Sequence, residues 1–215
     1  MAGINSFGQC PKPEYDFFDL NAPFTYDKFY RIQDIMDKNS LKKIGKYYYK
    51  DKNYVYYNYI RDVGSSGPMI KETLYLIENA DPKTFEVYKK ASFSRDKNNV
   101  YFAGFLIKSA DSETFTPLSY YYGKDNIRAF FRNCEIENVD LQTFQVKEDT
   151  YAGGFYDFAY DKNYIYFRSQ KEEIDIETFV VGESVNSCRD KNNIFHLSGK
   201  NWDEGNIIKE KIEKR

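Results

Sequence analysis

The stretch Ala91–Leu118, ASFSRDKNNVYFAGFLIKSADSETFTPL, holds two phrases that return along most of the chain. One is Asp-Lys-Asn-x-Val-Tyr-Phe from Asp96; the other is Ala-Asp-x-x-Thr-Phe from Ala110. Asp before Lys-Asn is turn chemistry, because the carboxylate accepts backbone N–H groups in an Asx turn and Asn tolerates a left-handed backbone. Val-Tyr-Phe then opens a strand, and Phe-Ala-Gly-Phe over Phe102–Phe105 supplies a hairpin turn into the next. Asp111 caps a second turn and Phe115 anchors the returning chain, so each unit is expected to hold about three short antiparallel strands. These polar letters have structural jobs before they have chemical ones.

The first phrase recurs from Asp51, Asp96, Asp161 and Asp190, with a degenerate copy, Asp125-Asn126-Ile127-Arg128, in third place. The second recurs as ADPKTF from Ala80, ADSETF from Ala110, VDLQTF from Val139 and IDIETF from Ile174. Asp96 to Asp125 and Asp161 to Asp190 both span 29 residues, while the other two intervals are 45 and 36. A period of that length belongs to solenoids, propellers and arrays. Asp37-Lys38-Asn39-Ser40 matches by letters, but Leu41-Lys42-Lys43 follows where an aromatic strand belongs. It is either a decayed first repeat or a coincidence in a Lys- and Asn-rich chain.

Period-two alternation puts Val55 with Tyr57, Val100 with Phe102, Ala129 with Phe131, Ile165 with Phe167 and Ile194 with His196 on one face, the expected core. The opposite set, Tyr56, Tyr101, Phe130, Tyr166 and Phe195, is aromatic too. Large apolar patches are seldom left in solvent, so both faces are expected to be covered. The expected architecture is all-β: antiparallel meander repeats of about 29 residues in an open twisted array over residues 47–200. Residues 1–46 form an N-terminal segment with a short helix over Thr25–Met36, and residues 201–215 a charged C-terminal helix that caps the array.

Composition narrows the function. Lys plus Arg (31) nearly balances Asp plus Glu (33), so no basic stripe points to nucleic acid. With 21 Tyr and 18 Phe among 215 residues, the aromatics suit strands and their packing. Cys10, Cys134 and Cys188 make neither a CxxC nor an even framework, which suits a reducing compartment, with a Cys134–Cys188 bridge left open. No secretory leader and no apolar run long enough to span a membrane is read, so the expected location is the cytoplasm, or the envelope if a signal segment was removed.

The two phrases together, over approximately residues 47–200, resemble the DKNYY family of bacterial proteins. Two departures stand out: the third unit lacks Lys-Asn after Asp125, and His196 replaces an aromatic residue. The resemblance implies no catalytic chemistry and no cofactor. It suggests a setting among bacterial accessory proteins, with toxin-neutralising immunity partners among them.

Catalysis finds little support in the letters. His196 is the only histidine and sits at a strand position, and an Asp repeated at every turn reads as scaffold. Calcium is disfavoured because Asp-Lys-Asn places a cation between the oxygen donors, so no metal or cofactor is expected. Recognition is expected where the units differ. Those places are the first-unit insertion Tyr59–Glu78 with Ser65 and Ser66, the insertion Lys147–Asp157 with Tyr151 and Phe155, and the acidic run led by Glu172 and Glu173. The expectation is a non-catalytic protein-binding module, concretely an immunity protein for a cognate toxin; the alternative is an envelope-associated glycan-binding or structural repeat protein.

Overall fold

The computed structural model describes residues 32–62, 70–89, 92–147, 158–181, 188–198 and 206–212. It divides into two compact units, one ending at Pro117 and one running from Leu118. In the first unit, β1 (Lys42–Lys43), β2 (Tyr48–Lys50), β3 (Val55–Asp62) and β4 (Ile70–Leu76) form an antiparallel meander. A second meander follows: β5 (Glu86–Val87), β6 (Phe93–Arg95), β7 (Val100–Phe102) and β8 (Phe105–Leu106). The two-residue strand β9 (Thr116–Pro117) ends this unit.

The second unit opens with the meander β10 (Tyr122–Lys124), β11 (Ala129–Phe131) and β12 (Cys134–Ile136). Next come β13 (Gln145–Lys147), β14 (Phe158–Tyr160), β15 (Ile165–Phe167) and β16 (Gln170–Glu172). Last are β17 (Cys188–Arg189), β18 (Asn193–Ser198) and β19 (Asn206–Lys211). The repeat is thus all-β, but complete meanders carry four strands where the letters suggested three. The extra strand is the two or three residues just after the second phrase, too short to show a period of its own.

Two corrections concern the termini. Asn206–Lys211 is a strand, paired with β18 from Asn193↔Lys211 to Ser198↔Asn206, and not a capping helix. Ile207 and Ile208 are β-branched and favour the pleated form, and six consecutive register pairs outweigh the helical spacing of the isoleucines. Of the helix expected over residues 25–36, the described part contains one turn, α1 (Ile32–Ile35), and residues 25–31 lie outside the described residues.

The alternate aromatic face is covered in all five sheets, for a reason the ring pattern shows. Tyr56, Tyr101, Phe130 and Tyr166 have no exposed surface and Phe195 is 1% exposed. Three of the sheets give an aromatic residue three positions before the turn Asp to a ring stack completed by the following sheet. Tyr48 meets Phe85 and Phe85 meets Tyr101, both at 5.7 Å between centroids. Tyr122, Phe144 and Tyr166 repeat the stack at 6.4 and 5.9 Å, and Phe158, Phe179 and Phe195 at 5.1 and 6.2 Å. The middle ring is always the Phe of Thr-Phe, so that phrase is the wedge between sheets. Tilted and edge contacts at these spacings contribute about 0.5–1.5 kcal/mol per pair beyond burial.

The β7–β8 hairpin turns on Ala103 (φ 48°) and Gly104 (φ 86°), the left-handed pair of a type I′ turn. A Cβ on Gly104 would lie 2.9 Å from Tyr57 Cβ in the preceding sheet. Gly104→Ala is therefore expected to cost about 2–4 kcal/mol, from left-handed strain plus overpacking. Urea denaturation checks this; wild-type stability would mean the turn does not seat against Tyr57. The Asn of the repeat phrase, by contrast, does not adopt a left-handed backbone: among the described residues the positive-φ side-chain-bearing positions are Asn79, Ala103, Arg132, Asn138 and Arg168.

Candidate functional site

The polar chemistry most concentrated in this chain is the repeated turn aspartate, and each copy is buried: Asp51, Asp96, Asp125, Asp161 and Asp190 are 1–4% exposed. At Asp96, Oδ1 accepts the backbone N–H groups of Asn98 and Asn99, both at 2.8 Å. Its Oδ2 accepts the Tyr101 hydroxyl at 3.0 Å and the backbone N–H of Asp81 at 2.9 Å. Asp81 opens the Asp-x-x-Thr turn that precedes β5, so one carboxylate ties the β6–β7 turn to the start of its own sheet. The second phrase replies: Thr84 Oγ1 accepts the Lys97 N–H at 3.2 Å, and the Lys97 ammonium lies 3.5 Å from the Asp81 carboxylate.

The same box recurs. Asp161 accepts Asn163 and Tyr164 N–H on Oδ1 and the Tyr166 hydroxyl and Asp140 N–H on Oδ2, all within 2.7–2.9 Å. Asp190 lacks the phenol, because Phe195 stands there; Asn193 Nδ2 donates to Oδ1 at 3.2 Å and the Asp175 N–H to Oδ2 at 3.2 Å. Asp37-Lys38-Asn39-Ser40 proves to be a second phrase wearing the letters of the first. The Asp37 N–H donates to Asp51 Oδ2 at 2.8 Å, Ser40 Oγ accepts the Lys52 N–H at 3.1 Å, and Lys52 pairs with Asp37 at 2.9 Å.

Burial pushes the carboxyls of Asp51, Asp161 and Asp190 upward, but the hydroxyl, amide and backbone donors outweigh it and hold all three below the ordinary carboxylate value. The phenols of Tyr56, Tyr101 and Tyr166 go the other way: burial, with a carboxylate alongside, raises them well above the usual tyrosine value. Such a carboxylate has its lone pairs occupied by donors and offers nothing to a cation or substrate. Among the described residues no three His, Cys, Asp or Glu side chains cluster as metal ligands. The pocket bounded by Tyr57, Tyr75, Leu76, Ile77, Ala103, Gly104 and Phe105 has a volume of about 20 Å³, room for one water.

The residue before the turn Asp was missed in the sequence, although it is basic in four of the five phrases: Lys50, Arg95, Lys124 and Arg189. The first three reach forward to the backbone carbonyl just after the next unit's second-phrase Asp. Lys50 donates to Pro82, Arg95 to Ser112 at 2.9 Å and Lys124 to Leu141 at 3.4 Å. These clips join successive repeats.

Of the residues expected to contact a partner, Ser65, Ser66, Tyr151 and Phe155 lie outside the described residues. Part of the first-unit insertion lengthens the β3–β4 hairpin, which pairs from Tyr56↔Leu76 to Asp62↔Ile70. Glu172 ends β16; burial raises its carboxyl, the Lys209 ammonium lowers it from 3.9 Å away, and Glu173 raises it further. Glu173 is exposed, and its backbone carbonyl accepts Lys209 Nζ at 3.1 Å. The acidic run is thus partly spent inside the fold: Asp175 pairs with Lys191 at 2.6 Å. Cys188 is buried opposite Phe195 and takes part in no disulfide, which excludes a bridge to Cys134. His196 lies in β18 opposite Ile208.

A family model described as the DKNYY family matches residues 5–105 and again residues 93–211. The chain belongs to the DKNYY family. The match exceeds the 47–200 span of visible phrases, in keeping with Asp37–Ser40 taking part in the first box. No curated protein and no solved structure matches the chain. Among the described residues no helix is long and apolar enough to cross a membrane. In this DKNYY chain, then, the name-giving letters build the turn, the Thr-Phe wedge spaces the sheets, and Lys50, Arg95 and Lys124 clip one repeat to the next.

Proposed function

We propose that this DKNYY protein is a non-catalytic, cytoplasmic protein-binding module, an open array of repeats that acts as an immunity protein by occluding a bacterial toxin. The observation that supports this reading is the saturation of the repeated aspartates. Residues that recur are spent on holding turns and sheets, which leaves recognition to the places where repeats differ. Those places are the Ser65-Ser66 connection, the segment with Tyr151 and Phe155, and the exposed Glu173 beside the partly buried Glu172. The alternative, a glycan-binding envelope protein, needed an aromatic strip facing solvent, and Tyr56, Tyr101, Phe130, Tyr166 and Phe195 are buried.

The test is co-expression with the protein encoded beside it in the genome, read by growth rescue and by calorimetric titration of the purified pair. Tyr151→Ala with Phe155→Ala is expected to weaken binding at least about tenfold without lowering Tm, as interface aromatics do. No complex and no rescue would remove the toxin reading.

A further inference from the structure

We propose that the outer face of the last sheet, β17–β19, is a self-association surface on which a second copy of this chain docks about a two-fold axis running along β18. Within each unit, one face of a sheet is covered by the next. Tyr48, Val55 and Ile77 pack on Phe85 and Tyr101; Tyr122, Phe131 and Ile136 on Phe144 and Tyr166; Phe158, Ile165 and Phe167 on Phe179, Cys188 and Phe195. The corresponding face of the last sheet carries Arg189, Ile194 and Glu210 in one register row, with Ile208 in the next. Ile208 is 53% exposed and Ile212 is 39% exposed. Apolar β-branched side chains thus occupy the face that three earlier sheets use to pack on the next.

Another DKNYY repeat is not the occupant that this face fits. A repeat docks by placing its Thr-Phe ring against the aromatic residue three positions before the turn Asp. In the last unit Ser187 holds that position, and His196 replaces the second aromatic. A copy of the same face fits better. Residues paired across strands share a face, so Arg189, Ile194 and Glu210 lie side by side, with the cation on one outer strand and the anion on the other. A half-turn about β18 sets Arg189 against Glu210 of the partner subunit and Ile194 against its own copy. That is the self-complementarity a two-fold contact requires. Arg189 also stands at the clip position, where Lys50, Arg95 and Lys124 reach across to a neighbour.

At ordinary strand spacing and rise the face measures about 300 Å² per copy, well under the ~800 Å² of a standard interface, so association is expected to be weak and to need high protein concentration. Sedimentation equilibrium of the full chain, from about 10 μM to about 1 mM at low salt, tests it across that range. The mass is expected to move from monomer to dimer, and Ile208→Asp to raise Kd at least about tenfold by burying a charge. Arg189→Glu and Glu210→Arg should each weaken the dimer, and the double variant Arg189→Glu/Glu210→Arg should restore it, all with unchanged Tm. A chain that stays monomeric, a double swap that fails to restore, or growth past dimer into open assemblies would each overturn the inference. A monomer would leave toxin binding untouched, because that is read with the partner present.

Discussion

Asp96→Ala is expected to cost about 3–5 kcal/mol, the range for removing one member of a buried charged network. The carboxylate is 2% exposed and accepts from Asn98 N–H, Asn99 N–H, Asp81 N–H and the Tyr101 hydroxyl. Deleting it leaves these donors, and the more distant Asn99 Nδ2 at 3.4 Å, facing a methyl group, and each buried unsatisfied donor costs about 1–3 kcal/mol before water or relaxation offsets part of it. Asp96→Asn should cost somewhat less, because one oxygen remains, yet its amide hydrogens would face donors. Tyr101→Phe should cost only about 1 kcal/mol, since the carboxylate keeps its N–H donors and the phenyl ring keeps its packing. Phe130 and Phe195 occupy the equivalent place in two other units. Lys97→Met is expected within about 0.5 kcal/mol of wild type, because its pair with Asp81 is largely solvated. Chemical denaturation orders the four variants; equal losses for Lys97→Met and Asp96→Ala would show that the surface ion pair, not the buried box, holds the turn.

The sequence was most legible where a residue serves its own turn and least where it serves a neighbour. Asp96 as an Asx acceptor follows from three consecutive letters, and both Asn98 and Asn99 donate as an Asx turn requires. Its second oxygen reaches Asp81, fifteen residues earlier, and no local rule announces that bond. Phe115 reads as an anchor and is 3% exposed, but its place in a stack with Phe93, at 5.1 Å, depends on how sheets succeed one another. Asp37–Ser40 misled by its spelling: Asp-Lys-Asn-Ser carries both the Asp-Lys-Asn of the first phrase and the Asp-x-x-hydroxyl of the second, and only the partner Asp51 decides which role it fills. The terminal isoleucines misled by spacing. Ile208 and Ile212 stand four apart, which suits a helix face and a strand face equally, so the available partner strand β18 decides. As for the site, the structural role of the repeated aspartates was legible in their recurrence, while the basic clip before them was not, because its acceptors are backbone carbonyls in the following unit.

Alkaline pH should unfold the protein in one step that carries its buried tyrosines with it. Tyr56, Tyr101 and Tyr166 are buried with their hydroxyls 2.7–3.0 Å from Asp51, Asp96 and Asp161, and their phenols are raised above the normal value. A group raised on folding stabilises the native state fully below its unfolded pKa, and that contribution drains away as pH climbs from there toward the folded value. For tyrosine the loss begins near pH ~10. Three such phenols, protonated when native and ionised when unfolded, give a slope of about 4 kcal/mol per pH unit, enough to exhaust a typical domain's stability within about two units. The acid side has the opposite sign. Asp51, Asp161 and Asp190 are lowered on folding, so their contribution is whole above about pH 4 and lost as pH falls below it. Stability should therefore be flat between about pH 5 and 9 and collapse more steeply at the alkaline end. Absorbance at the phenolate band and far-ultraviolet circular dichroism, followed together, decide the matter. If the phenolate signal lost on replacing Tyr56, Tyr101 and Tyr166 by Phe falls near the ordinary tyrosine pKa while the β signal persists, these hydroxyls are not locked onto the repeat carboxylates. The triple variant Tyr56→Phe/Tyr101→Phe/Tyr166→Phe should be weaker at neutral pH by about 3 kcal/mol, yet hold its remaining structure to higher pH than the slope of the parent allows. That crossing of the two curves is the signature of stability stored in phenol–carboxylate pairs and not in ring packing, which the substitution leaves intact.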